Sequence, residues 1–164
     1  MPRSNLPDLA LCPVLIRPTL LSVRRMGPAD LPAITTHFIG LNQADRELRF
    51  CQQRSDAQLA AYVHSLDFGR DPILGAFANA VLLGVCHLGL GPVLNGSAPI
   101  AELGISLDLA SRGLRVGAEL VNAAFVAAAE RGCSDVFIYY VQHNHRMHGM
   151  CVRLGAVIER AHGE

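Results

Sequence analysis

Residues 107–118 read Leu107-Asp-Leu-Ala-Ser-Arg-Gly-Leu-Arg-Val-Gly-Ala118, a run that leaves a strand-like segment and opens the most regular helical pattern in the chain. Val116, Leu120, Val121, Ala124, Phe125 and Ala128 recur at helical spacing and Gly132 follows, which predicts a helix over residues 116–131. The first turn of such a helix carries unpaired N–H groups and the positive end of the helix dipole, and Arg112 and Arg115 add charge beside it. On these residues alone, an anion site and an ordinary strand-to-helix connection are both open.

Working outward, residues 98–107 before the loop read as a strand. Two more strand-like runs precede it, residues 72–78 and 80–90, with turns at Asn79 and at Asn95-Gly96, so the three are expected to pair as an antiparallel meander. Nearer the start, residues 19–25 read as a first strand with Leu21 and Val23 on one face. Pro28 then opens a helix to about Leu41, residues 45–53 suit a short charged helix, and Ser55 with Gln58 three residues on begins another as a capping box. After the central helix, residues 135–141 are apolar enough for a strand buried on both faces. Residues 144–154 read as a helix stopped by Gly155, and residues 156–160 as the start of a last strand.

Composition narrows the class. The 164 residues fit one domain over residues 19–164 behind a tail of residues 1–18, and a hydrophobic share of 51% supplies a single core. Fourteen basic residues balance fourteen acidic ones, so no net field draws in nucleic acid or an anionic membrane. The five cysteines, Cys12, Cys51, Cys86, Cys133 and Cys151, are scattered without a C-x-x-C pair, which reads as reduced thiols in a cytoplasmic protein. The apolar stretch of residues 9–16 is short and broken by Pro13, unlike an export signal, and no apolar run reaches the roughly 20 residues that span a bilayer. His143, His145 and His148 lie close together without a nearby acidic or cysteine ligand pattern, so no metal is expected.

Two motifs carry a resemblance. Arg112-Gly113-Leu114-Arg115-Val116-Gly117 is similar to the pyrophosphate loop of the GNAT superfamily of acyl-CoA N-acyltransferases, in which Gln or Arg is followed by two residues, Gly, one residue, then Gly or Ala. The first and last positions match, and the middle glycine is Arg115. Members of that family often follow the next strand with Asn, then Tyr seven residues on and Gly four further, and here Asn144, Cys151 and Gly155 stand at those intervals. The resemblance covers residues 21–160. It implies an α/β (α+β) fold, a mixed and mostly antiparallel central sheet flanked by helices. The chain stops at Glu164, and the family's final strand is missing from this pattern. Either the chain is shortened there or a partner chain covers that edge, and because an uncovered sheet edge invites pairing, a homodimer is one of the two expectations.

The activity implied is transfer of an acetyl group from acetyl-CoA, as co-substrate, to a small amine or a protein amine. In that reading Ile105, Ser106 and Leu107 bond the pantetheine arm, and one of their N–H groups holds the oxyanion of the tetrahedral intermediate. Arg112, Gly113, Leu114, Arg115, Val116, Gly117 and Ala118 hold the diphosphate. Glu102 is the candidate base for the acceptor ammonium, or else a solvated strand residue. Cys151, in the usual tyrosine position, is either the proton donor to the departing thiolate or a small buried helix residue. Asn144 bonds pantetheine or caps the helix behind it. His37, Asn42, Arg46 and Arg49 are placed to face the acceptor, whose identity these residues do not select. A domain that keeps CoA or another small ligand without turnover is the competing reading.

Overall fold

The computed structural model describes residues 21–93, 97–112 and 114–159. The tail and Cys12, the Asn95-Gly96 turn, and Gly113 lie outside the described residues. The chain begins with β1 (Leu21–Arg25), a 3₁₀ turn (Pro28–Asp30) and three helices, α1 (Leu31–Gly40), α2 (Gln43–Phe50) and α3 (Asp56–His64). The meander follows as β2 (Ile73–Ala78), β3 (Val81–Leu90) and β4 (Ile100–Leu107). A 3₁₀ turn (Leu109–Ser111) leads to α4 (Val116–Glu130), then β5 (Asp135–Phe137) and α5 (His145–Arg153). The strands lie in the order β1-β2-β3-β4-β5, antiparallel except for the parallel β4–β5 pair.

Local chemistry explains the boundaries. Ser55 Oγ accepts from the Gln58 N–H and Gln58 Oε1 accepts from the Ser55 N–H, the reciprocal cap expected for α3. Asn79 and Ala80 both have positive φ, 48° and 71°, as a two-residue hairpin that matches the twist of its strands requires. Gly132 and Gly155, at φ 69° and 70°, follow α4 and α5 in the left-handed region that ends helices.

Strand alternation splits the interior into two layers. On one face, Leu74, Ala76, Cys86, Leu88, Ala101 and Leu103 pack against Val116, Leu120, Val121, Ala124 and Ala128 of α4. On the other, Ile73, Phe77 and Val85 pack against Ile34, Phe38, Leu59 and Val63 of α1 and α3. Leu120 is fully buried, and truncating such a leucine to alanine costs ~2–5 kcal/mol. Because Ala101 and Leu103 face α4, the alternate residues Glu102, Gly104 and Ser106 fall on the α1–α3 face. That parity delivers the polar side chains of β4 to one cleft.

Two expectations are corrected. The strand predicted over residues 135–141 ends at Phe137, and it is not buried on both faces, since Asp135 and Phe137 are exposed. Its pairing with β4 covers only Ile100↔Asp135, Ala101↔Val136 and Glu102↔Phe137, after which the chain departs and the ladder has no partner for residues 138–141. Residues 156–159 form no strand and are exposed, so the start of a last strand is absent among the described residues.

Candidate active site

Beyond the Glu102↔Phe137 pair, β4 and the chain after β5 diverge, and a groove of about 160 Å3 opens beside the end of β4. Ile105, Ser106, Leu107, Arg112, Gly117 and Asn144 all line it, together with Met147 and Met150 of α5 and Asp45 and Arg49 of α2. Six residues separated by up to 39 positions in sequence are thus gathered around one space. Gly117 belongs to the first turn of α4, whose start receives no side-chain cap. A Cβ added at Gly117 would stand 3.3 Å from Leu107, so the small residue lets the helix start approach the strand end.

Within the groove, Arg112 forms an ion pair with Asp45 at 2.5 Å. Asp45 also accepts from Asn42 Nδ2, while Asn42 Oδ1 accepts from the Asp45 N–H and caps α2. Asn144 Oδ1 accepts from the Met147 N–H at 3.1 Å, which makes it the cap of α5 and leaves its amide nitrogen as the group able to meet a ligand. Ser106 Oγ lies 2.8 Å from His37 Nε2, and His37 Nδ1 lies 3.0 Å from Asp108 Oδ1. That second contact is close but poorly aligned, since Nδ1 makes no hydrogen bond of good geometry. Burial holds the His37 pKa below the ordinary imidazole value, against the pull of Asp108, so the ring is neutral and ties the end of β4 to α1.

The other predicted residues separate from this groove. Leu114 and Arg115 line a different depression with Leu21, Val23 and Glu119. Arg115 has φ 64° and ψ 1°, a left-handed conformation at the place where the family pattern has glycine. Val116 is buried in the core and Ala118 is exposed on α4. Cys151 is buried, lines none of these cavities, and has a thiol pKa raised by burial. The described cysteines Cys51, Cys86, Cys133 and Cys151 are all free thiols.

A second cavity of about 540 Å3 lies on the same face of β4 and includes Glu102, Gly104, Arg49, Arg54, Tyr62, Arg70, Asp71, His87, Phe137 and Tyr139 in its lining. Glu102 itself is exposed to solvent. Behind it runs a polar chain that sequence reasoning missed. Arg49 Nη2 donates to Tyr62 Oη at 3.0 Å, Tyr62 Oη is 2.8 Å from His87 Nδ1, and His87 Nε2 is 3.1 Å from Asp71 Oδ2. With Arg49 donating, the consistent proton order has Tyr62 donating to Nδ1 and the His87 Nε2–H donating to Asp71. Burial lowers the His87 pKa and raises that of Tyr62. Asp71 is held at about 2: burial opposes ionisation, but Arg70, the Leu90 N–H and His87 outweigh it.

Of the residues placed to face an acceptor, only Arg49 lines this cavity. His37 is committed to Ser106, Asn42 caps α2, and Arg46 is buried, donating to the carbonyls of Leu41, Ile39 and Arg54. The available signal for the Arg49 cluster was Gly104. A glycine inside a strand marks a close approach, and here a Cβ would collide with the Arg49 guanidinium.

The acetyltransferase (GNAT) family profile matches residues 41–156, which spans β4, the loop, α4 and both cavities. The chain belongs to the GNAT acetyltransferase family. Solved GNAT structures share the fold over nearly its whole length. The aminoglycoside N-acetyltransferase AAC(6')-Iy in complex with CoA is 19% identical, with 92% of this chain and 97% of that one covered and a TM-score of 0.70. The GNAT domain of S. lividans PAT is 19% identical over 87% of this chain and 84% of that one, with a TM-score of 0.73. An acetyltransferase of Trypanosoma brucei is 15% identical over 88% and 97%, with a TM-score of 0.64. A comparison with curated protein sequences finds no match. Among the described residues, this GNAT protein has no helix long and apolar enough to cross a membrane.

Proposed function

We propose that the chain is an acetyl-CoA-dependent N-acetyltransferase in which a primary amine attacks the thioester directly. The observation that carries this reading is the convergence of Ile105, Ser106, Leu107, Arg112, Gly117 and Asn144 on one groove, at the point where β4 loses its partner strand. In this proposal acetyl-CoA lies in that groove, its diphosphate at the uncapped start of α4 beside Arg112, its pantetheine arm along residues 105–107 and against the Asn144 amide. Leu114, Arg115, Val116 and Ala118 contribute main-chain proximity to the diphosphate rather than a shared side-chain surface, and Gly113 of the same motif lies outside the described residues.

Amide formation needs a neutral amine, a stabilised oxyanion and a protonated leaving group. Glu102 lines the neighbouring cavity and takes the ammonium proton, directly or through water. A main-chain N–H from the unpaired flank of residues 105–107 holds the tetrahedral oxyanion. The amine nitrogen bonds to the acyl carbon, the carbon–sulfur bond breaks, and CoA thiolate leaves. Water protonates the thiolate in this reading, because the buried Cys151 thiol reaches neither cavity.

Titration calorimetry with CoA and thiol release from acetyl-CoA over an amine panel test the proposal together. Saturable CoA binding with amine-dependent thiol release is the expected result. Binding without release from any amine would leave a ligand-binding domain, and no binding would refute both readings.

A further inference from the structure

The two cavities share one side chain among the described residues, Arg49, and it is the feature that most restricts the acceptor. The guanidinium lies flat on β4 at Gly104, 4.7 Å from the Phe50 ring centroid and bonded to Tyr62. Among the described residues no carboxylate lies within ion-pair distance of Arg49 or of Arg54, which lines the same cavity. The Nε atoms of both arginines are buried without a hydrogen-bond partner. Arg70 and Asp71 neutralise each other, which leaves two arginines facing one glutamate, Glu102.

Such a cavity repels a polycation. An acceptor with several ammonium groups meets an excess of like charge, whereas an acceptor carrying an anion answers a guanidinium that has none. Position adds a second constraint. The reacting nitrogen has to stand where the groove and the cavity adjoin, at Gly104, Ile105 and Arg49. If Arg49 grips the anion, then nitrogen and anion are separated by very few bonds. In an α-amino acid the nitrogen and carboxylate oxygens hang from neighbouring carbons, roughly 3 Å apart.

Building on the acetyl-transfer reading above, we propose that the acceptor is a free α-amino acid, with Arg49 binding its carboxylate and Glu102 receiving the proton of its α-ammonium. The same guanidinium disfavours the charged ammonium beside it, which assists deprotonation. Arg49 is then a specificity-determining residue. The planar fork suits a carboxylate in two-point contact, and lysine reproduces only its charge.

The experiment measures thiol release from acetyl-CoA with L-amino acids, each compared with its carboxamide and with the decarboxylated amine. Spermidine and kanamycin serve as polycationic probes. The wild-type protein is expected to favour the free acid by about 10–100-fold in kcat/KM, mainly through KM, as a charge-assisted hydrogen-bonded pair provides. Arg49→Gln should bring acid and amide within about threefold of each other, and Arg49→Lys should fall between. Carboxamides or polycations used as well as the acids would overturn the assignment. So would an Arg49→Gln variant that keeps the full preference. Because the preference is read first on the wild-type protein, a poorly folded variant does not blunt the test. Absence of turnover with every amine, alongside tight CoA binding, instead overturns the acetyl-transfer reading on which this one rests.

Discussion

Asp45 on α2 and Arg112 at the loop before α4 face each other across the groove, carboxylate to guanidinium at 2.5 Å. The cation proposed to meet the diphosphate of CoA is therefore already partnered. Binding must either loosen this pair or share it.

Asp45→Asn removes the competing charge while keeping the size and the hydrogen bond to Asn42. Partly buried pairs of this kind contribute on the order of 1 kcal/mol, so CoA should bind about 3–10-fold more tightly, read by calorimetry at low salt. Weaker binding would mean that Asp45 orients Arg112 for the phosphate instead of withholding it.

Glu102→Gln separates chemistry from binding. The residue lines the cavity proposed for the acceptor and not the groove, so CoA affinity should stay within about twofold while turnover falls by ~10²–10⁴. An undiminished rate across the pH range would assign the proton to another acceptor.

The helical stripe of α4, the reciprocal cap of α3 and the meander were legible because each rests on local periodicity or on neighbours within four residues. Of the groove residues, Arg112 and Gly117 stand in the loop motif at the strand–helix junction and Asn144 in the second motif after the next strand, while Asp45, Arg49, Met147 and Met150 occupy no motif position. β5 was overread for a physical reason: Ile138, Tyr139, Tyr140 and Val141 look like strand residues, but pairing depends on β4, which they leave after Phe137. The chain Arg49–Tyr62–His87–Asp71 was invisible because α2, α3, β3 and the segment before β2 each supply one member. No spacing rule links those positions, and only the strand glycine opposite His87, Gly104, hinted at a close approach.

Arg115→Gly addresses the left-handed residue before α4. A side chain in that conformation costs roughly 1–2 kcal/mol, part of which glycine returns through its freer unfolded chain. The variant should be more stable by ~0.5–1 kcal/mol, a rise of about 1–4 °C in Tm. Since the Arg115 side chain lines the depression beside β1, CoA affinity should change less than about threefold. A larger loss would show that its guanidinium swings round to the diphosphate.

Cys151→Ala tests the two roles left open for the position occupied by tyrosine in the family pattern. The side chain is buried and lines neither cavity, so turnover should persist while stability drops by ~1 kcal/mol from the small void. Loss of turnover in a variant that unfolds at the same temperature would instead restore the thiol as proton donor.

Acid should weaken the fold in two stages, and Asp71 sets the second. Its carboxyl is held at about 2 in the folded protein against an ordinary 3.8, so the unfolded chain binds the proton more readily. The stabilisation is complete above pH 3.8 and is lost as the pH falls toward 2, on the order of 2 kcal/mol in all. His37 and His87 act earlier: burial lowers both below 6.5, so stability is full above that pH and starts to decline as the unfolded imidazoles take up protons. Urea unfolding midpoints followed from pH 8 to pH 2 should therefore show a shallow decline beginning near 6.5 and a further loss below 4. In Asp71→Asn the lower limb should flatten while the upper one persists. A variant retaining the full loss below pH 4 would place the responsible carboxylate elsewhere than between Arg70, His87 and the Leu90 amide.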